Sequence, residues 1–224
     1  MRTVIILALL LLGTVFLNVF ERKVLSSQDS CIGKQGQKVL SNWYWVRGYG
    51  SWMEKDEARL KDNYSFATAL DPFNPTYWSL AAHTLAFDLP VWELNYRAAE
   101  NGDLNDEKTA AIRQGFAEEA LAFFDRSHVY FESDTDWYLT ASVLAETALN
   151  DPVHAIRYLQ KAVAIPEFPY PVARSYGRLR IEAGQLESAH SFMASWLPRL
   201  GPDSFEARSS EIRKLLQTLE SELD

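Results

Sequence analysis

Cysteine is almost missing from this 224-residue chain: Cys31 stands alone. One thiol excludes an internal disulfide framework and a multi-cysteine zinc site, so stability must come from packing. Cys31 also lies eleven residues beyond Phe20, behind Gln28-Asp29-Ser30, too far from the apolar N-terminal run to carry a lipoprotein anchor. It reads as a free thiol or as one half of an intermolecular disulfide. Histidine is scarce too: His83, His128, His154 and His190 are far apart, without metal-ligand spacing such as HExxH. Glu187 and His190 share a helix face, but carboxylate-bridged metal centres need two such pairs with further carboxylates. There is no G-x-S-x-G and no phosphate-cradling glycine loop. Gly48-Tyr49-Gly50 lacks the third glycine and the lysine, and the acidic run Glu54–Glu57 reads as a solvated turn. No enzyme activity, no metal and no cofactor is expected.

Basic residues are outnumbered, 22 Lys and Arg against 30 Asp and Glu, for a net charge of −8. The first 26 residues hold Arg2, Glu21, Arg22 and Lys23, a net of +2, so the rest carries −8 − 2 = −10. An acidic body argues against nucleic-acid binding, which needs a basic footprint. What the chain has in quantity is aromatics: seven Trp, ten Tyr and twelve Phe. Side chains of this kind fill cores and build contact surfaces.

Val4 to Phe20 is a 17-residue run without charge. As a helix it spans roughly 25 Å, close to a hydrocarbon core of ~30 Å once flanking residues snorkel. The run is longer than a usual signal-peptide core and is closed by Glu21-Arg22-Lys23, which favours an uncleaved transmembrane anchor. A cleaved signal peptide, with a weak site near Val24 and Ser26, is the alternative. Either places the body at or across a membrane, by default on the extracytoplasmic side. The expected organisation is an anchor over 1–25, a polar linker over 26–38, helical repeats over 39–202 and a capping helix over 203–224.

The body repeats. Tyr44 and Trp78 are 34 residues apart, and so are Gly48 and Ala82. Ala155, Leu159 and Ala162 recur 34 residues later as Ala189, Met193 and Trp196, and Gly184 precedes the second set at a helix–helix turn. Leu70-Asp71-Pro72-Phe73-Asn74-Pro75 is a helix stop followed by a restart. The pattern predicts helices over 40–54, 56–70, 75–88, 91–101, 106–129, 134–149, 153–164, 170–183, 185–197 and 204–222, with no strand. The stretch 102–129 breaks the period as one longer amphipathic helix.

Tyr44, Gly48, Tyr64, Ala67 and Pro72 together resemble the tetratricopeptide repeat (TPR) family, as do the stretches from Trp137 to Pro166 and from Tyr176 to Pro202. Leu60 and Trp196 stand where that pattern has a small residue, the Trp137 hairpin carries a two-residue insertion, and Trp78 to Asn101 fits loosely. The resemblance covers about residues 40–202 and also extends to bacterial membrane-anchored TPR proteins of unassigned role. It implies an all-α stack of antiparallel helical hairpins that binds a protein or peptide in a groove lined by the first helix of each hairpin. On that register, Trp45, Tyr49 and Trp52 form an aromatic stripe on the groove side, unless the linker, the anchor or the next hairpin covers it. Arg174 and Arg178 face the same groove and are candidates to hold a partner's carboxylate, unless solvated or paired internally, as with Glu182. The expected function is a membrane-anchored scaffold for a protein partner; the alternative is a constitutive subunit of a larger envelope assembly.

Overall fold

The computed structural model describes residues 33–196 apart from Asp103, together with Pro198 and the C-terminal positions Lys214, Leu216, Gln217 and Ser221. The expected anchor and Cys31 lie outside the described residues, as does most of the expected capping helix; Leu216 packs against the core. The described chain is all-α. Its helices are α1 (Lys34–Glu54), α2 (Glu57–Leu70), α3 (Pro75–His83), α4 (Leu89–Asn101), α5 (Asp106–Asp125), α6 (Thr135–Thr147), α7 (Pro152–Ala162), α8 (Tyr170–Glu182) and α9 (Leu186–Trp196).

Five of these helices start in the same way. Asp56, Asn74, Asn105, Asp134 and Asp151 each accept a hydrogen bond from a first-turn backbone N–H. Each cap satisfies a donor that the helix itself leaves unpaired, and Pro75 and Pro152 then occupy first-turn positions where no N–H is required. This is why the Asp-Pro and Asn-Pro dipeptides mark starts here.

Pro90 does something different. The expected break between helices over 75–88 and 91–101 is absent, because Thr84–Asp88 forms a π-helical turn whose backbone runs unbroken into α4. A proline inside an α-helix removes one hydrogen bond and drives its ring toward the carbonyl four residues back. The wider π turn just before Pro90 absorbs that conflict. The result is one long rod, Pro75–Asn101, which pairs with α5. The stretch 102–129, expected to interrupt the repeat, therefore supplies the second helix of a long hairpin, and α5 ends at Asp125, before a short 3-10 turn at His128–Tyr130.

Four hairpins follow: α1/α2, α3–α4/α5, α6/α7 and α8/α9. The first helices adjoin across the stack, α3 beside α6 and α6 beside α8. The small residues at the crossings serve close approach. A Cβ built on Gly48 would sit 2.7 Å from Tyr64 Cε1, and one on Gly177 would sit 2.6 Å from Met193 Sδ. The core runs through all four hairpins, from Leu60 and Tyr64 through Trp78, Phe124, Trp137 and Leu159 to Tyr176 and Met193. α1 begins at Lys34, inside the stretch expected as linker (26–38).

Candidate docking face

The first helices carry the exposed face that makes the candidate docking surface. In α1, Ser41, Tyr44, Gly48 and Ser51 are buried against α2. With about 3.6 residues per turn, Val39, Val46 and Met53 emerge on the opposite side, and they are 66–68% exposed. In α3 the exposed Leu80 and His83 occupy the corresponding face, and in α6 Val143 and Thr147 do so. In α8 it carries Arg174 and Glu182. The character of the face thus grades from apolar at α1 and α3 to charged at α8.

The predicted aromatic stripe divides in three. Trp45 is covered by the next hairpin: its ring lies 4.7 Å from Tyr64 on one side and 4.7 Å from Tyr77 on the other, near parallel to both. Tyr77 in turn hydrogen-bonds Asn42 of α1. Trp45 is therefore a structural joint between hairpins. Trp52 is half-buried and fixed: its indole Nε1–H donates to Asp88 Oδ2 at 2.8 Å, and its ring meets Trp92 at 6.3 Å. Tyr49 is 59% exposed and lies on Trp52, ring centroids 5.8 Å apart and 14° from parallel. What remains open is a ledge made of Tyr49 on Trp52, with Trp92 behind and the exposed Val91 beside it in sequence.

Asp88 sits in the π turn, so the turn that accommodates Pro90 also delivers the carboxylate that holds Trp52. Sequence reasoning missed Asp88, Trp92, Val91 and Leu80. Their signal exists in part as the apolar-rich register of residues 80–92, but the Asp88 contact spans 36 residues of chain.

Arg174 and Arg178 both lie on the first helix α8. Arg178 is bound on two sides, to Glu146 of α6 at 2.7 Å and to Glu182 at 2.8 Å. Burial opposes its charge, yet these carboxylates outweigh it and raise its pKa. Arg174 is exposed and also has a partner within the chain.

Several clefts open between the helices, and two of them are crossed by fixed polar contacts. One, of about 400 Å³, is lined by Asp125, His128, Trp137, His154, Arg157, Tyr158 and Lys161. Its floor is tied down: Tyr158 donates to both carboxylate oxygens of Asp125 at 2.7 and 2.8 Å, and Trp137 Nε1–H donates to Ser127 Oγ at 2.6 Å. Burial first, then the Asp125 carboxylate, pushes the Tyr158 hydroxyl well above the usual tyrosine range. The other cleft, about 270 Å³ between α2 and α5, is bridged by Lys61, which reaches Glu119 at 2.7 Å and Glu57 at 2.8 Å. Among the described residues no three His, Cys, Asp or Glu side chains are grouped to hold a metal ion. Nor is any described helix long and apolar enough to cross a membrane.

No family model matches this chain, and no curated protein matches it. Among solved structures it is similar to a thermophilic TPR protein of Thermus thermophilus, at 14% identity and a TM-score of 0.40, covering 84% of this chain and 100% of that one. It is also similar to PilF of Pseudomonas aeruginosa, at 16% identity and a TM-score of 0.34, covering 84% of this chain and 92% of that one. These likenesses are remote, and the class rests on the hairpins themselves: paired helices, glycine crossings and a shared core make an all-α, TPR-like stack.

Proposed function

We propose that this protein is a scaffold that docks a segment of a protein partner on the ledge of Tyr49, Trp52 and Trp92 and on the exposed Val91 and Leu80. The observation that carries the reading is Tyr49. A large ring, 59% exposed, is held flat against an indole that is itself fixed by Asp88. An aromatic group ordered before contact loses little freedom when a partner covers it, which is the property of energetic centres in interfaces. The N-terminal apolar run supports membrane anchoring, with the body on the extracytoplasmic side. Anchoring raises the effective concentration of the ledge toward partners in the same membrane.

The test is co-purification. Full-length protein with a C-terminal tag is recovered from native membranes beside the Tyr49→Ala/Val91→Ala variant. Both substituted side chains are largely exposed, so the variant should fold. A protein recovered with the parent and lost with the variant supports the ledge; equal recovery with both refutes it. A partner present in fixed stoichiometry under every condition would make this chain a constitutive subunit of an envelope assembly.

A further inference from the structure

We propose that the outer edge of α1 lies on an anionic lipid surface, beside the docking ledge and not on it. The proposal rests on the anchoring part of the function given above. Three observations lead to it.

The first is the edge itself. Val39, Val46 and Met53 are spaced by seven residues and stand opposite the face that α1 buries against α2. Trp43 and the open Gly50 continue the same sector; a Cβ built on Gly50 meets nothing within 4 Å. Neither α2 nor the next hairpin covers the edge, because α3 and α4 take the Trp45 and Trp52 side.

The second is charge. From Lys34 to Glu54 the helix carries three cations, Lys34, Lys38 and Arg47, against one carboxylate, Glu54 at its C-terminal end, in a chain of net charge −8. Read at about 100° per residue, Arg47 lies beyond the Trp43 end of the apolar sector, next to Glu54, and Lys38 lies beyond Tyr49 on the other side. Arg47 lies over the Trp43 ring at 4.5 Å. An apolar sector flanked by an excess of basic residues is the layout of a helix lying in the plane of a membrane interface. A protein partner would need only the apolar sector. The flanking cations in an acidic chain match anionic headgroups.

The third is reach. Only residues 21–33 separate the apolar run from α1. Fully extended, they span at most roughly 45 Å. If the run sits in the bilayer, α1 is the part of the described body held nearest to it.

The experiment uses the full-length chain, with Cys31→Ser, reconstituted into vesicles. A fluorophore is attached through Val46→Cys, or through Gln160→Cys on the exposed face of α7 as the control. Vesicles are phosphatidylcholine alone, or with about one third phosphatidylglycerol, each doped with headgroup-level nitroxide quencher. The proposal predicts quenching at position 46 at least about threefold above that at 160 in the anionic vesicles, reduced by Lys34→Glu/Lys38→Glu and by high salt. Equal, weak quenching at both positions overturns it. Quenching at 46 that ignores lipid charge and the lysine substitutions also overturns it, leaving apolar contact without headgroup recognition. Shielding at 46 that appears only as protein density rises would assign the edge to a second copy and overturn it too. None of these results changes the co-purification through Tyr49 and Val91, so the ledge and the lipid edge stand or fall separately.

Discussion

Replacing Gly48 by alanine puts a methyl carbon 2.7 Å from Tyr64 Cε1 and 2.9 Å from Cδ1. The Tyr64 ring cannot retreat easily. Trp45 lies 4.7 Å away along its face, and Trp45 is held from behind by Tyr77. Overpacking of a rigid core costs about 1–3 kcal/mol, while alanine gains ~1 kcal/mol over glycine within a helix. With a ring this well held, the upper end applies, and the net loss is about 2 kcal/mol. For a chain of this length that lowers Tm by roughly 4–8 °C. Gly177 provides the internal comparison. Its added methyl would sit 2.6 Å from Met193 Sδ, but a thioether on three rotatable bonds yields where a stacked ring does not. Gly177→Ala should therefore stay within about 1 kcal/mol of the parent. Thermal unfolding followed by circular dichroism at 222 nm measures both. In a Tyr64→Leu background the Gly48→Ala loss should largely disappear, since the obstructing ring is gone. A Gly48→Ala protein at or above the parental Tm, or one that loses less than Gly177→Ala, would refute the reasoning.

Trp45→Ala should cost about 3–5 kcal/mol, because it empties a joint between hairpins, whereas Tyr49→Ala should change stability by less than ~0.5 kcal/mol; urea titrations of the two decide whether the stripe is divided as described. Asp134 caps α6 through Asp136 N and Trp137 N, so Asp134→Ala should cost about 1 kcal/mol, read from the same titration. Arg178→Ala should cost no more than ~1 kcal/mol despite two ion pairs, since the side chain is 39% exposed and solvent screens it. Tyr158 has its folded-state pKa raised by burial and by Asp125. Its contribution is therefore complete below the unfolded value of about 10 and is lost as pH rises through the folded value. The stability gap between the parent and Tyr158→Phe, clear at pH ~8, should narrow above pH ~10, and a constant gap would contradict the assignment.

Much of the architecture was legible because it depends on short-range chemistry. Asp71-Pro72 through Pro75 marked a stop and a restart, and Asn74 indeed caps α3. Gly48, legible as a repeat position, lies too close to a neighbouring side chain for a methyl group to fit without a shift, and so does Gly177. The boundary expected between 88 and 91 is absent for a definite reason: proline at position 90 would break a regular α-helix, but nothing local announces the π turn that makes room for it. The missed continuity of 75–101 then hid the role of α5 as its partner. The polar residues from Lys34 to Gln37 read as linker because they bury little. They are nonetheless helical, since they extend a helix nucleated by the packed turns that follow. The candidate site was less legible. Tyr49 and Trp52 were found through their spacing, and so was Trp45, but spacing cannot tell which of three outward rings the next hairpin will cover. The partners that decide it, Tyr77 and Asp88, are more than thirty residues away.

The central claim is that the ledge around Tyr49 receives a protein, and site-specific photo-crosslinking tests it most directly. A benzophenone amino acid replaces Tyr49 in the full-length protein within its native membranes, and in a second protein it replaces Gln160 on α7. The account predicts a discrete crosslinked species at position 49, with the crosslinked partner identified by mass spectrometry, and none at 160. Crosslinks absent at 49, or of equal yield and identity at both positions, would contradict it.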